Sequence, residues 1–223
     1  MCSEADITAV AQIQTTGVTT TAVHRADGSG VVLNSGDYYG SGNDDDFSEY
    51  GVTTFNVSEP NATSVESATL ILTYNDRNFS DGSEVEFFFT PDSAAALGGD
   101  FADLAYDPAF VNGINPAHFA TAPVSLGKFL FTPTFDGGTP VTHFLDISAA
   151  NDALLSSIQS GSDFQIIIAS TTAEADITFS GVGNTFDPGD PQLNLNVSVI
   201  PEPTSIGLLA MGLLAVSGLR RRR

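Results

Sequence analysis

Strict two-residue alternation marks the clearest stretch of the chain. In residues 192–200, Leu193, Leu195, Val197 and Val199 fall on one side and Asn194, Asn196 and Ser198 on the other. That pattern predicts a strand with one face on a core and the other toward water. The same period groups Ala68, Leu70, Leu72 and Tyr74 within 65–74, Val85, Phe87 and Phe89 within 84–90, and Ile177 and Phe179 within 176–180. Residues 164–169 differ: an unbroken apolar run with three isoleucines predicts a central strand covered on both faces, or nearly so. Segments 52–57, 124–131 and 141–145 complete the set, and turn residues such as Asn75-Asp76, Asp81-Gly82, Asp136-Gly137-Gly138 and Asp187-Pro188-Gly189-Asp190 separate them.

One helix is expected. Asp146 or Ser148 can cap a segment whose apolar positions 147, 150, 154, 155 and 158 form one stripe, and Gly161 stands where a C-terminal glycine belongs. Such a helix should lie across an end or edge of a sheet. Two connections are long: 36–51, and 91–123, in which a helical turn is expected at 93–97. Short strands, regular turns and one or two short helices predict a mainly β fold, a jelly-roll-like β-sandwich. About 200 residues suffice for one domain with a real core.

Beyond residue 200 the pattern changes. Pro201, Glu202 and Pro203 form a rigid break that neither strand nor helix should cross. Residues 206–219 carry no charge, and Arg220, Arg221, Arg222 and Arg223 end the chain. A helix over 204–219 would be roughly 24 Å long at ~1.5 Å per residue, short of a ~30 Å hydrocarbon core. Snorkelling arginines and local bilayer thinning close that gap. A single transmembrane helix is therefore expected, with its arginine end cytoplasmic and residues 1–200 outside. A buried core helix is the competing reading, but such a helix rarely carries four terminal arginines and lacks an amphipathic stripe. The chain thus divides into a body, 1–200, and a tail, 201–223.

Pro201-Glu202-Pro203, a short apolar helix and the Arg220 to Arg223 foot, in that order, resemble the PEP-CTERM sorting signal of bacterial exported proteins. The resemblance covers roughly the last tenth of the chain. It implies that Pro201, Glu202 and Pro203 are the processing motif for an exosortase, a membrane-embedded cysteine transpeptidase. It further implies a Gram-negative-type envelope, passage through the inner membrane with the body periplasmic, and then a cell-surface or extracellular destination. Such proteins often belong to bacteria that make extracellular polysaccharide, which makes a biofilm-matrix role an expectation. An exported chain should open with a basic and then apolar signal peptide. Met1-Cys2-Ser3-Glu4-Ala5-Asp6 has two acids and no base, so the genuine start is expected upstream. Cys2, the one cysteine, excludes an internal disulfide.

Charge narrows the partners. In residues 1–200, Arg25, Arg77 and Lys128 face twenty-six acids, a formal charge of −23. That disfavours nucleic acid and anionic lipid, and favours solubility and loosely held divalent cations. Asn43, Asp44, Asp45 and Asp46, near Glu49, offer hard oxygen ligands suited to Ca²⁺, the one cofactor for which the sequence offers a candidate site. Their spacing lacks the alternation of an EF-hand loop, so a solvated acidic loop competes. Asp187 and Asp190 are a second, weaker candidate pair.

The order of an Asp-rich loop with Tyr39-Gly40, then Thr54-Phe55-Asn56-Val57, Val65-Glu66-Ser67-Ala68-Thr69-Leu70 and Pro191-Gln192-Leu193 resembles the jelly-roll adhesive and carbohydrate-binding-type modules of surface proteins. The resemblance implies the fold. With no tryptophan in the chain, Tyr38, Tyr39 and Tyr50 are the candidates for stacking on sugar rings. Asn-x-Ser/Thr tripeptides at Asn56, Asn61, Asn78 and Asn196 arise readily by chance in such a composition. For catalysis the sequence offers no nucleophile elbow, no His-Glu-x-x-His and no phosphate loop. His24, His118 and His143 are dispersed, and His143, beside Phe144, reads as a core or surface histidine. A non-enzymatic surface or matrix protein is expected; a carbohydrate-binding module is the alternative, and a secreted hydrolase comes third.

Overall fold

Alternation becomes pairing. A computed structural model describes residues 9–15, 18–25, 31–33, 38–41, 49–74, 84–92, 107, 109–110, 112–131, 137–171, 177–181 and 189–200. The acidic run Asp44, Asp45 and Asp46, the helical turn expected at 93–97, and the tail 201–223 with its expected transmembrane helix lie outside the described residues. The strands are β1 (Ala9–Thr15), β2 (Val18–Arg25), β3 (Val31–Leu33), β4 (Tyr38–Ser41), β5 (Glu49–Asn56), β6 (Ala62–Thr73), β7 (Glu84–Thr90), β8 (Val124–Leu130), β9 (Pro140–Leu145), β10 (Asp163–Ser170), β11 (Ile177–Ser180) and β12 (Gln192–Val199); helix α1 (Asn151–Ser160) lies between β9 and β10.

Sheet 1 runs β1-β12-β6-β9 and sheet 2 runs β3-β2-β5-β10-β7-β8, while β4 and β11 form a small ribbon. Every strand pairing is antiparallel. The two sheets form a β-sandwich. Its core draws Leu70 and Leu72 of β6 and Leu193, Leu195 and Val197 of β12 from one side. Phe55 of β5, Phe87 and Phe89 of β7 and Phe164, Ile166 and Ile168 of β10 come from the other. Those of β6, β7 and β12 are the alternating apolar positions that the sequence singles out. Large rings fill the gap, with Phe164 stacked on Phe55 at 6.1 Å and tilted against Phe89 at 5.8 Å between centroids.

Strand β10 is buried on both faces, as its unbroken apolar run predicts. Outside the sandwich core, Ile167 and Ala169 join Tyr50, Val52 and Phe88 in a second cluster, closed by Ile114 and Phe119. Those two come from the long connection after β7, so part of that connection is a lid. Side-chain turns shape it: Asp107 accepts from the Ala109 amide at 3.0 Å and from Asn115 Nδ2 at 2.9 Å. Asn115 Oδ1 in turn accepts from the Ala117 amide at 3.0 Å and caps the 3₁₀ turn Pro116–His118. Thr121 anchors the far end, its amide donating to Asp92 Oδ2 at 3.0 Å.

The helix departs from expectation at one end. Gly161 is left-handed at φ 64° and closes it, with the Ser162 amide donating to the Ser157 carbonyl at 3.1 Å, as a C-terminal glycine should. At the start neither Asp146 nor Ser148 caps. Asp146 Oδ1 instead accepts from the Ser148 amide at 3.0 Å, which spends it on a turn upstream, and Ala150 occupies the cap position. Asn151 Nδ2 donates to the Val65 carbonyl and Gln159 Nε2 to the Ala62 carbonyl, both at 2.7 Å. The helix is thereby fastened along the start of β6. The 36–51 connection is also corrected: it holds β4 and the first residues of β5.

Candidate functional site

The end of β12 is where the body meets the tail. β12 lies inside sheet 1, with Val199 opposite Ala9 of β1 and Ala62 of β6. One residue later the Ile200 amide donates to the Asn61 carbonyl at 3.0 Å. Pro201 follows directly. The surrounding end of the sandwich is tied by further bonds: the Glu59 amide to the Ile158 carbonyl at 3.0 Å, and Asn56 Nδ2 to the Gly161 carbonyl at 3.0 Å and to Asp163 Oδ1 at 2.7 Å. This makes a stiff platform from which the proline-flanked motif departs without a spacer. Glu59 and Asp163 give the platform acidic charge.

Sheet 1 also presents an outer face. The polar positions of β12 occupy it, with Asn194 opposite Thr69 and Asn196 opposite Ser67 on β6. Asn196 Nδ2 donates to Ser67 Oγ at 2.7 Å. On the other side of β6, Phe144 of β9 stands opposite Thr69 and is 77% exposed. Glu66 is the charge on this side of β6, its carboxyl held below the usual range by hydrogen bonds from Ser64 and then Ser198. The alternation in 192–200 announces this polar face, but nothing in the alternation distinguishes a binding surface from a merely wet one. Phe144, outside that segment, carries no sequence signal of its own.

The sequence candidates scatter. Tyr50 is 1% exposed, and burial raises its phenol pKa well above the ordinary value. A ring in that position packs the second cluster and offers no face to a sugar, which corrects its place among the stacking candidates. The backbones of Tyr38 and Tyr39 lie in β4, paired with Ser180 and Phe179 of β11. Asp187 lies outside the described residues; Asp190 is exposed at the approach to β12. Among the described residues no group of three or more His, Cys, Asp or Glu side chains can hold a metal ion. Nor, among them, is any helix long and apolar enough to cross a membrane.

His143 is 7% exposed and sits 5.1 Å from the Phe87 ring and 5.2 Å from the Phe129 ring between centroids. Burial pushes its pKa down to about 4, and its Nε2 has no hydrogen-bond partner. It is a neutral core histidine, in keeping with its place beside Phe144 in the sequence. Gln165, on the outer face of β10, is wholly buried, with neither amide atom partnered. The sequence gives no hint of it beyond one polar residue in an apolar run. At the edge of sheet 2, Lys128 Nζ meets Glu84 Oε1 at 3.0 Å, an exposed cross-strand pair of small energetic worth.

Comparison with known proteins adds a sharp finding at the C-terminus and little elsewhere. Residues 199–223 match the PEP-CTERM protein-sorting motif. No curated protein matches the chain. Among solved structures, the cleaved K1 adhesin domain of Lys-gingipain from Porphyromonas gingivalis W83 aligns with 86% of this chain and 89% of its own, at 10% sequence identity and a TM-score of 0.29.

Proposed function

We propose that this chain, which ends in a PEP-CTERM sorting motif, is an exported protein held in the inner membrane by a helix over 204–219 and processed near Pro201, Glu202 and Pro203 by an exosortase-type transpeptidase. The body then acts at the cell surface or in an exopolysaccharide matrix, by structure or interaction and without catalysis. The motif carries this reading. Its first residues, Val199 and Ile200, belong to the hydrogen-bonded end of the sandwich, so the enzyme meets a short proline-bounded strip of backbone against a folded body. The strand order supports a jelly roll. Setting aside β2, β3, β4 and β11, the sheets β1-β12-β6-β9 and β5-β10-β7-β8 interleave early and late strands in the two-Greek-key manner. Replacing Pro201, Glu202 and Pro203 together by alanine tests the reading in cells: the uncut chain accumulates in the membrane fraction, and continued release of a trimmed body would refute it.

The second reading is a carbohydrate-binding module. The observation that favours it is the exposed ring of Phe144 opposite Thr69 on the outer face of sheet 1.

A further inference from the structure

Strand β6 breaks its own period where it borders the end of β12. Its buried residues fall at Ala62, Val65 and Ala68, three apart, and only then at Leu70 and Leu72, two apart. The pairing gives the reason. Asn196 lies opposite Ser67 but Val197 opposite Val65, and Ser198 lies opposite Ser64 but Val199 opposite Ala62. β6 therefore carries an extra residue twice, Glu66 and Thr63, both of them exposed. Bulges of this kind re-aim a side chain.

Both extra residues reach the same residue of β12. Thr63 Oγ1 donates to the Ser198 carbonyl at 3.1 Å, and the Ser198 hydroxyl donates to Glu66 Oε1 at 2.7 Å, an oxygen that also accepts from Ser64 Oγ at 2.5 Å. Two residues on, the Asn61 carbonyl holds the Ile200 amide. Between them, Val199 pairs with Ala9 on one side and Ala62 on the other. Main chain and side chain together thus hold Ser198 to Ile200 in the sheet. Pro201 has no amide to give and ends the ladder.

An enzyme that reads an extended segment does so largely through its backbone groups. Upstream of the Pro-Glu-Pro motif those groups already belong to the sandwich, so body and enzyme compete for one strip of chain. Opening of the strand end decides the competition, and opening at the end of an element is far easier than global unfolding. We propose that Thr63 and Glu66 are positioning residues for processing: by gripping Ser198 they keep the end of β12 in the sheet and slow the transpeptidase. This rests on the processing reading and adds to it what governs the rate.

The test is a pulse-chase of the full chain, with its genuine upstream start, in cells that carry the processing enzyme, following conversion of intact to trimmed chain. Thr63→Val and Glu66→Ala each remove a grip that lies outside the motif match at 199–223. Each should speed conversion roughly fivefold, the change in opening that one lost hydrogen bond produces. Both positions are exposed, so a melting curve separates a loosened strand end from a lost fold. A Gly-Ser-Gly-Ser-Gly-Ser spacer between Ile200 and Pro201 supplies upstream backbone of its own; it should speed conversion at least as much and make the two substitutions silent. Gly189→Ala, which crowds Thr73 at the opposite end of β6, should leave the rate unchanged. Parent-like or slower conversion of Thr63→Val and Glu66→Ala would overturn the inference. So would an equal acceleration by Gly189→Ala, or an effect of either substitution that persists with the spacer in place. A parent that is never trimmed defeats the processing reading and this inference with it, whereas trimming at one rate in every variant defeats the inference alone.

Discussion

The Ile200 amide donates to the Asn61 carbonyl at 3.0 Å, one residue before Pro201. The sorting motif, matched from residue 199, therefore overlaps the last hydrogen bonds of the sandwich. Ile200→Pro removes that donor and with it the bond. The expected cost is about 1 kcal/mol, seen in thermal unfolding as a drop of roughly 2–4 °C for a chain of this size. An unchanged melting temperature would mean that the bond adds nothing to the body.

Gln165 is buried between Thr54 and Thr90 on neighbouring strands, with neither end of its amide bonded. An unpaired buried amide forfeits its hydration without return. Gln165→Met keeps the volume and removes the polar atoms, so denaturant unfolding should show a gain of about 1 kcal/mol. A loss would mean that the amide has a partner in solution, such as a buried water.

For His143 the sign follows from its folded pKa of about 4 against ~6.5 in the unfolded chain. Between those values the unfolded chain holds a proton that the folded one does not. Stability is thus complete above about pH 6.5, falls as pH drops from there, and levels below about 4, with a total on the order of 3 kcal/mol. His143→Leu should flatten this stretch of the stability curve in urea titrations at stepped pH, without loss at neutral pH. Glu66, Glu84 and Asp146 have lowered pKa values through hydrogen bonds, first from Ser64, Lys128 and Ser148 respectively. Their contribution is present above the unfolded carboxylate pKa and is lost as pH falls through the folded one, a more acidic window. A slope that survives in the leucine variant between pH 4 and 6.5 would show that His143 is not its source.

Gly189 approaches Thr73 so closely that a β-carbon there would collide with the threonine Oγ1 and Cβ. Gly189→Ala should destabilise by roughly 1–3 kcal/mol through overpacking. Adding Thr73→Ala should recover a good part of it, a coupling visible in a double-mutant cycle. Additive losses would place the cost in the backbone instead.

The legible parts of the fold were those where one face is apolar and the other polar. β12, β6 and β7 could be read because Leu, Val and Phe recur every second residue, and β10 because its isoleucines are covered from both sides. β1, Ala-Val-Ala-Gln-Ile-Gln-Thr, and the threonine-rich β2 escaped because alanine and threonine carry too little contrast. β3 and β4, with three and four residues, are too short for a period to declare itself. The helix cap was misplaced because Asp146 can serve a turn as well as a helix, a choice that tertiary packing makes. Of the candidate sites, the tail was readable because its three parts have unmistakable chemistry in a fixed order. Tyr50 was not, since a tyrosine that packs a core and one that meets a sugar look alike until the lid carrying Ile114 and Phe119 is in place. Phe144 was hidden for the converse reason: an edge strand can turn one ring outward without breaking any pattern.

The most direct test of the central claim is the mass of the mature chain's C-terminus, taken from cells that carry the genuine upstream start and compared with cells lacking the processing enzyme. Processing predicts a surface or extracellular body ending close to Pro201–Pro203 in the first, and an intact membrane-bound chain ending at Arg223 in the second. A full-length polypeptide ending at Arg223 and free in the cytosol of both would contradict the account.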